Sequence, residues 1–225
     1  MRPAIFMLAA YLLGSVPFGY AAGRVAGVDL RREGSGNTGA TNVYRVLGSR
    51  WAIPVIVADV LKGLVPVWFF PLWDGKGWPH MALVYGVAAI SGHVWPVFLR
   101  FKGGKGVATA AGAMLALAPV AVAVSILAWI GLALITRVVS IGSLTAAALV
   151  PVLAFYEDAP PETILFALGL TVLVWWTHRS NLGRLLRGKE LPFRPNPTAD
   201  GSVGEMPGEP PGSRPADLGV GREEP

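Results

Sequence analysis

The chain of 225 residues contains no cysteine. That absence excludes a disulfide framework, a thiolate metal site and a cysteine nucleophile together. Histidine is nearly as scarce. The three present, His80, His93 and His178, are too few for a histidine-rich metal centre. Charge is thin as well: charged residues make up 15% of the chain and apolar residues 53%, against about 25% charged in soluble domains. The mean hydropathy is +0.52. An ordinary soluble domain and a disordered chain are both excluded by that balance. What remains is a basic chain, net charge +5, rich in glycine and proline. It reads as a membrane protein that handles an anion.

A membrane span needs about 20 mostly apolar residues. Residues 3–23 carry no charge and are read as a first membrane helix. The stretch is too long for a leader's apolar core, and no small-residue cleavage site closes it. Residues 51–73 form a second span, interrupted by Asp59 and Lys62, and residues 77–99 a third. Residues 106–136 are uncharged for 31 positions, about 46 Å as one helix and too long for a hydrocarbon core of about 30 Å. Pro119 is where such a helix breaks, giving spans at 106–118 and 119–136. Residues 138–156 and 161–177 complete the set. The expected architecture is an all-α polytopic membrane protein of seven transmembrane helices, one domain over residues 1–190. Residues 191–225 hold 14 Gly plus Pro in 35 positions. They are expected to form a disordered cytoplasmic tail with no part in chemistry.

Charge orients these spans. Arg24, Arg31, Arg32, Arg45 and Arg50 follow the first span, Arg100, Lys102 and Lys105 the third, Arg137 the fifth, and Arg179, Arg184, Arg187 and Lys189 the last. The opposite loops carry only Arg2 and Lys76 as cations, beside Asp74, Glu157, Asp158 and Glu162. The positive-inside rule then places the N-terminus outside and the C-terminus in the cytoplasm. Six spans would put the basic C-terminal segment on the wrong side, so charge itself favours dividing 106–136.

Three polar segments lie on the basic face. The first runs from Glu33 to Arg45. Its Gly34, Gly36 and Gly39 spell the dinucleotide fingerprint, but a membrane helix precedes it where a strand is required. Glycine N–H groups joined by Ser35, Asn37, Thr38, Thr41 and Asn42, opening a helix, make a cradle for an oxyanion or phosphate. Arg45 lies one turn beyond Thr41 and can fork onto the same anion. The second segment, Lys102 to Thr109, holds Gly104-Lys105-Gly106. It fails as a P-loop, because Leu99 stands where the first glycine belongs and Gly106 where Ser or Thr belongs. Lys105 at a helix start opposes the helix dipole unless an anion shares the site. The third, Trp176 to Glu190, puts His178 and Asn181 on one helical face, continued by Arg184. Within the second span, Asp59 and Lys62 are expected to pair and brace the site from behind, with His93 nearby. The carboxylates of the basic face are only Asp29, Glu33 and Glu190. No paired aspartates stand ready for Mg²⁺, so metal-independent chemistry on a phosphate-bearing molecule is expected.

The segments Gly34-Ser35-Gly36-Asn37-Thr38-Gly39-Ala40-Thr41-Asn42 with Arg45, Gly103-Gly104-Lys105-Gly106-Val107-Ala108-Thr109, and His178-Arg179-Ser180-Asn181 running on to Glu190 are similar to the three signature motifs of the bacterial acyl-phosphate:glycerol-3-phosphate acyltransferases, the PlsY family. Asp59 with Lys62-Gly63, and Gly92-His93, resemble that family too. The resemblance covers about residues 4–190 and implies seven membrane helices. Thr38 departs from it, standing where many members have proline. The implied reaction moves an acyl chain from acyl-phosphate to the 1-hydroxyl of glycerol-3-phosphate, giving lysophosphatidic acid and phosphate for phospholipid synthesis. The resemblance implies phosphate binding by Ser35, Arg45 and Lys105, and contact of His178 and Asn181 with the glycerol-phosphate or its reacting hydroxyl. The resulting expectation names Ser35, Lys105, His178 and Asn181 as catalytic. Ser35, Gly36, Asn37, Thr41, Asn42, Arg45, Lys105 and Gly106 are expected to hold phosphate, and Asp59, Lys62 and His93 to support them. No cofactor or metal is expected. The partners are acyl-phosphate, glycerol-3-phosphate and the lipid bilayer, with no nucleic acid, in a monomer or weak oligomer. The place is the bacterial inner membrane, with the site at its cytoplasmic face.

Such a donor is an activated anhydride, so the protein must align the reactants and stabilise the oxyanion rather than supply a covalent nucleophile. Small residues Ala108, Ala111, Gly112 and Ala113 are expected to border a slot for the acyl tail. Proton removal stays open between a phosphate oxygen of the donor and His178, with Ser35 as acyl nucleophile a third route. The competing function class is a carrier or channel for an organic phosphate, which needs polar groups reaching a central site from both faces.

Overall fold

The computed structural model describes residues 2–75 and 80–194. Within them the chain is helical. The first apolar run is divided into α1 (Arg2–Ser15) and α2 (Phe18–Val25), because Pro17 has no N–H to give a continuing helix. The kink is closed at Val16, whose carbonyl accepts from Phe18 N (3.2 Å) and from Lys62 Nζ (3.0 Å). A polar loop leads to the short α3 (Ala40–Leu47), then α4 (Ser49–Trp73). Next come α5 (Met81–Val94), a single 3₁₀ turn at Val97–Leu99, α6 (Val107–Leu115), α7 (Pro119–Thr136), α8 (Val139–Tyr156), α9 (Pro161–Thr177) and α10 (Arg179–Leu186). The expected start of the third span, at 77, lies outside the described residues, as does the tail from 195 onward.

Among the described residues, five helical stretches are long and apolar enough to cross a membrane: Arg2–Val25, Ser49–Trp73, Met81–Leu99, Pro119–Thr136 and Val139–Tyr156. Pro161–Thr177 is apolar but shorter, and α6 has only nine residues. Their outer faces expose large apolar side chains, Leu61, Leu72, Leu127, Leu134, Leu165 and Val172 among them. A soluble fold would bury these; here hydrocarbon is the solvent they suit.

The long uncharged stretch does break at Pro119. The proline occupies the first helical position of α7, where a missing N–H costs nothing. The next two N–H groups, of Val120 and Ala121, donate to the Glu157 carboxylate at 3.2 and 2.9 Å. Glu157 belongs to the α8–α9 connection, so that connection and the α6–α7 junction share one end of the bundle. At the other end, Phe193 N donates to the carbonyl of Arg137, between α7 and α8.

Backbones approach closely where glycine permits it. A methyl added at Gly63 would overlap the carbonyl oxygen of Thr109, and one at Gly112 that of Val60. Thus α4 and α6 pack nearly backbone to backbone. This corrects one expectation about the slot. Gly112 is spent on α4, and Ala113 is fully buried in the core beside Met114 and Ala110. Ala108 and Ala111 turn the other way and line the cavity. Helix α1 packs on α5, α4 on α5 and α6, α7 on α8, and α8 on α9, while α6 touches both α7 and α9. The cavity lies between these two groups.

Candidate active site

The first polar loop is built by its own side chains. Asn42, in the first turn of α3 and 1% exposed, accepts from Ser35 N (2.7 Å) through Oδ1. It donates from Nδ2 to the carbonyls of Leu30 (3.2 Å) and Glu33 (3.0 Å). Asn37 accepts from Gly39 N at 2.8 Å, an Asx turn leading into the helix. Gly36 lies at φ +70°, and its N–H is taken by Glu33 O at 2.9 Å. The Gly36 N–H and the Asn42 amide, both read as phosphate donors, are therefore occupied in shaping the loop, while Asn37 shapes it through Oδ1. Ser35, Thr41 and Arg45 line the cavity beside them. Arg45 also donates to the carbonyls of Leu191 and Pro192, both at 3.1 Å, and Tyr44 stacks on Phe193 with centroids 4.4 Å apart. Residues 191–193, the first of the expected tail, are thereby held against the site.

The second segment folds back on the end of α5. Gly103 N donates to Val94 O and Gly104 N to His93 O, both at 3.1 Å. A methyl at Gly104 would overlap the His93 imidazole, so that ring is the floor beneath the loop. Gly106, at φ +85°, turns the chain into α6, and Thr177 Oγ1 donates to Lys105 O at 3.0 Å. The Lys105 ammonium is thereby aimed at Asn181, to whose Oδ1 it donates. Burial lowers the Lys105 pKa to about 8; Arg184 and Arg45 act in the same direction, while Glu190 opposes them.

The third segment caps α9 and opens α10. His178, 3% exposed, donates from Nδ1 to Val174 O at 2.8 Å. Only an N–H meets a carbonyl this way, so Nδ1 carries the proton and Nε2 keeps its lone pair. Burial, followed by the neighbouring Lys105 cation, lowers the His178 pKa to about 4. The imidazole is thus neutral throughout the physiological range. Asn181 Nδ2 and Arg184 Nε (2.8 Å) both donate to the Glu190 carboxylate, as does Ser140 Oγ at 3.2 Å. Glu190 was not among the expected site residues. Its signal was present: it closes the third segment as one of three carboxylates on a strongly cationic face.

Behind this chamber Asp59 and Lys62 pair at 2.8 Å, 4% and 3% exposed. Lys62 is turned toward the α1–α2 kink, whereas Asp59 lines the cavity. His93 Nδ1 stands 3.7 Å from Asp59 Oδ1, beyond hydrogen-bonding reach, and the His93 ring lines the cavity too. Replacing Asp59 by Asn leaves a buried ammonium without its counter-ion, a loss of about 3–5 kcal/mol. A large drop in melting temperature in detergent is expected, mostly recovered by Asp59→Asn combined with Lys62→Met. If Asp59→Asn melts like the parent, the pair is not structural.

Ser35, Asn37, Thr41, Asn42, Arg45, Asp59, His93, Lys105, Gly106, His178 and Asn181 all line one cavity of about 280 Å³; Gly36 and Lys62 do not. From the polar chamber the cavity continues between α6, α7, α8 and α9 as an apolar slot past Ala108, Ala111, Met114, Val122 and Ala167. One flank is open. Ile56 of α4 and Ile126 of α7 line the slot yet are 38% and 43% exposed. Among the described residues, no three His, Asp or Glu side chains gather as a metal site.

Fold and site together define a polytopic helical membrane protein in which a cationic chamber joins an apolar slot. The family model for glycerol-3-phosphate acyltransferase matches residues 4–188. A glycerol-3-phosphate acyltransferase of Trichlorobacter lovleyi is 45% identical over 196 residues, 86% of this chain and 100% of its own. The crystal structure of PlsY (YgiH), an integral membrane glycerol 3-phosphate acyltransferase, in its glycerol 3-phosphate form, has a TM-score of 0.81 and 39% identity. That match covers 86% of this chain and 96% of that one. The lysophosphatidic acid form of the same protein gives 0.78 and 38%, covering 85% and 95%. The chain belongs to the glycerol-3-phosphate acyltransferase family.

Proposed function

We propose that the protein transfers an acyl chain from an acyl-phosphate to the 1-hydroxyl of sn-glycerol-3-phosphate, giving 1-acyl-glycerol-3-phosphate and inorganic phosphate for phospholipid synthesis. The observation that carries this reading is the single cavity, in which a chamber holding Arg45 and Lys105 runs directly into a slot of apolar side chains. Two phosphate-bearing reactants, one with a long hydrocarbon tail, fit those two halves. Relatives that share the family include one solved with glycerol 3-phosphate and with lysophosphatidic acid, which supports the acceptor and product.

In this reading Ser35, Thr41, Arg45 and Lys105 receive the phosphates, with Gly106 holding Lys105 at the helix start. Gly36 and Asn42 keep the loop in shape, and Asn37 holds the turn through Oδ1 while its Nδ2 is offered to phosphate. Asn181 and His178 face the glycerol. The hydroxyl oxygen attacks the acyl carbon, the bond from that carbon to the bridging oxygen breaks, and phosphate leaves. Lys105 and the loop donors stabilise the negative charge that develops on the carbonyl oxygen. The hydroxyl proton passes to a phosphate oxygen of the donor. His178 Nε2 orients the glycerol by accepting a hydrogen bond from its 2-hydroxyl, which leaves the 1-hydroxyl proton to the phosphate. No cofactor takes part, because the cations of the chain offset the substrate charge.

The same reading takes residues 1–190 as one domain crossing a bacterial inner membrane seven times, with residues 106–118, of which α6 is the helical part, as the fourth and shortest crossing. The N-terminus lies outside, and the tail and the site lie on the cytoplasmic side. Support comes from the α6–α7 junction meeting the α8–α9 connection at Glu157, while both Lys105 and the start of α8 meet the Asn181–Glu190 network. The protein works as a monomer or weak oligomer and needs no nucleic acid. A carrier for organic phosphates fits less well. The charged side chains lining the cavity are Arg45, Asp59, Lys105 and Glu190, and among the described residues the loops at the opposite end contribute none of the lining. Purified protein given palmitoyl-phosphate and glycerol-3-phosphate is expected to release phosphate in step with a lysophospholipid product. Absence of release, with or without a divalent metal, refutes the reading.

A further inference from the structure

Glu190 touches neither the loop of the first segment nor that of the second, yet three donors converge on it: Asn181 Nδ2, Arg184 Nε and Ser140 Oγ. Its side chain is 4% exposed. A buried carboxylate surrounded by cations is normally a counter-charge; this one has a second, geometric effect. An amide side chain has a donating end and an accepting end. With Nδ2 committed to Glu190, Asn181 must present Oδ1 on its other side, and there Lys105 Nζ donates to it. Turned the other way, the amide would set its N–H groups against an ammonium and its oxygen against a carboxylate. The backbone that follows α10 fixes where Glu190 stands. Gly188, at φ +63°, reverses the chain after α10, Lys189 N donates to Arg184 O at 2.8 Å, and Arg45 holds the carbonyls of Leu191 and Pro192.

We infer that Glu190 is a positioning residue: through Asn181 it aims the Lys105 ammonium into the cavity, and its negative charge offsets the cations around that ammonium. This inference rests on the acyltransferase reading. The other charged groups near Lys105 are Arg45 on α3 and Arg184 on α10, both cations, and His178, which is neutral. Asp59 and His93 line the same cavity from α4 and α5. Glu190 is thus the anion that balances Arg45 and Arg184 around Lys105. The Lys105 pKa of about 8 leaves little margin, and loss of the carboxylate moves it further down.

The test is the alkaline limb of the pH–rate profile, measured with palmitoyl-phosphate and glycerol-3-phosphate. Glu190→Gln keeps the side-chain volume and removes the charge. Its limb is expected to move toward acid by about one pH unit or more, with kcat lowered and the melting temperature read alongside. Adding Arg184→Gln to Glu190→Gln restores the charge balance and is expected to bring the limb back toward the parent's. A merely structural glutamate predicts lost activity with the limb unmoved, and that result in a folded variant overturns the inference. Should Glu190→Gln not fold, Arg184→Gln alone decides. With one cation fewer beside Lys105 its limb is expected at higher pH, and no movement, or movement toward acid, overturns the inference. A parent protein that turns over neither substrate refutes the acyltransferase reading itself, and the inference with it.

Discussion

Lys105→Met is expected to lower kcat/KM by about 10³-fold while leaving the protein folded. Removing one preorganised donor from an oxyanion costs about 10²–10³ in rate, and here the same ammonium also loses its share of substrate phosphate. Methionine keeps the unbranched stem, and the loop beneath is held by groups other than the ammonium, namely the backbone bonds of Gly103 and Gly104 and the Thr177 hydroxyl. Folding therefore has little reason to fail. The measurement is steady-state turnover beside a thermal melt. A loss below about tenfold in a folded variant would show that Lys105 snorkels to the interface and contributes nothing to chemistry. The parent itself should lose activity as pH rises through about 8, the pKa that burial sets for this lysine. A group that works as a cation works below its pKa.

His178→Gln is the second, with an expected loss of about 10²-fold in kcat and no change in the acidic limb between pH 5 and 7. The reasoning runs through sign. Burial and the Lys105 cation hold the His178 pKa down at about 4, so the ring enters that range already neutral and no ionisation is there to be lost. A general base is most effective with a pKa near the working pH, and His178 is about three units too acidic for that task at neutrality. Its lone pair at Nε2 still serves to hold the glycerol in line through the 2-hydroxyl. Should the parent instead show a limb near 6.5 that vanishes in His178→Gln, the histidine takes the proton and the donor phosphate does not.

Much of the fold and site is legible in the amino-acid sequence, for reasons that differ element by element. Pro119 breaks its helix because proline lacks an N–H, a property of the residue and not of its neighbours. Asp59 and Lys62 pair because three residues apart on a buried helix leaves each little choice. Asn42 carries the opposite lesson. Side-chain type shows that a group can donate or accept, but not that the loop's own backbone will claim it first. Gly112 and Ala113 suit a slot because they are small, and smallness serves a helix contact equally well. Helical spacing alone does not say which neighbour each face meets. Residues 191–193 open a stretch dominated by glycine and proline, where composition masks the contribution of a single Phe193 stacked on Tyr44. Glu190 is visible as a rare carboxylate, but its partners arrive from α8 and α10, and no local pattern joins Ser140 to Asn181.

The open flank at Ile56 and Ile126 sets how the protein counts its donor. On the acyltransferase reading, the hydrocarbon tail slides in sideways from the leaflet while glycerol-3-phosphate arrives from water. The donor is then never a solute. Its effective concentration is a surface density, so diluting the membrane with inert lipid slows the enzyme even at a fixed total amount of donor, whereas diluting the whole suspension affects the supply of glycerol-3-phosphate alone.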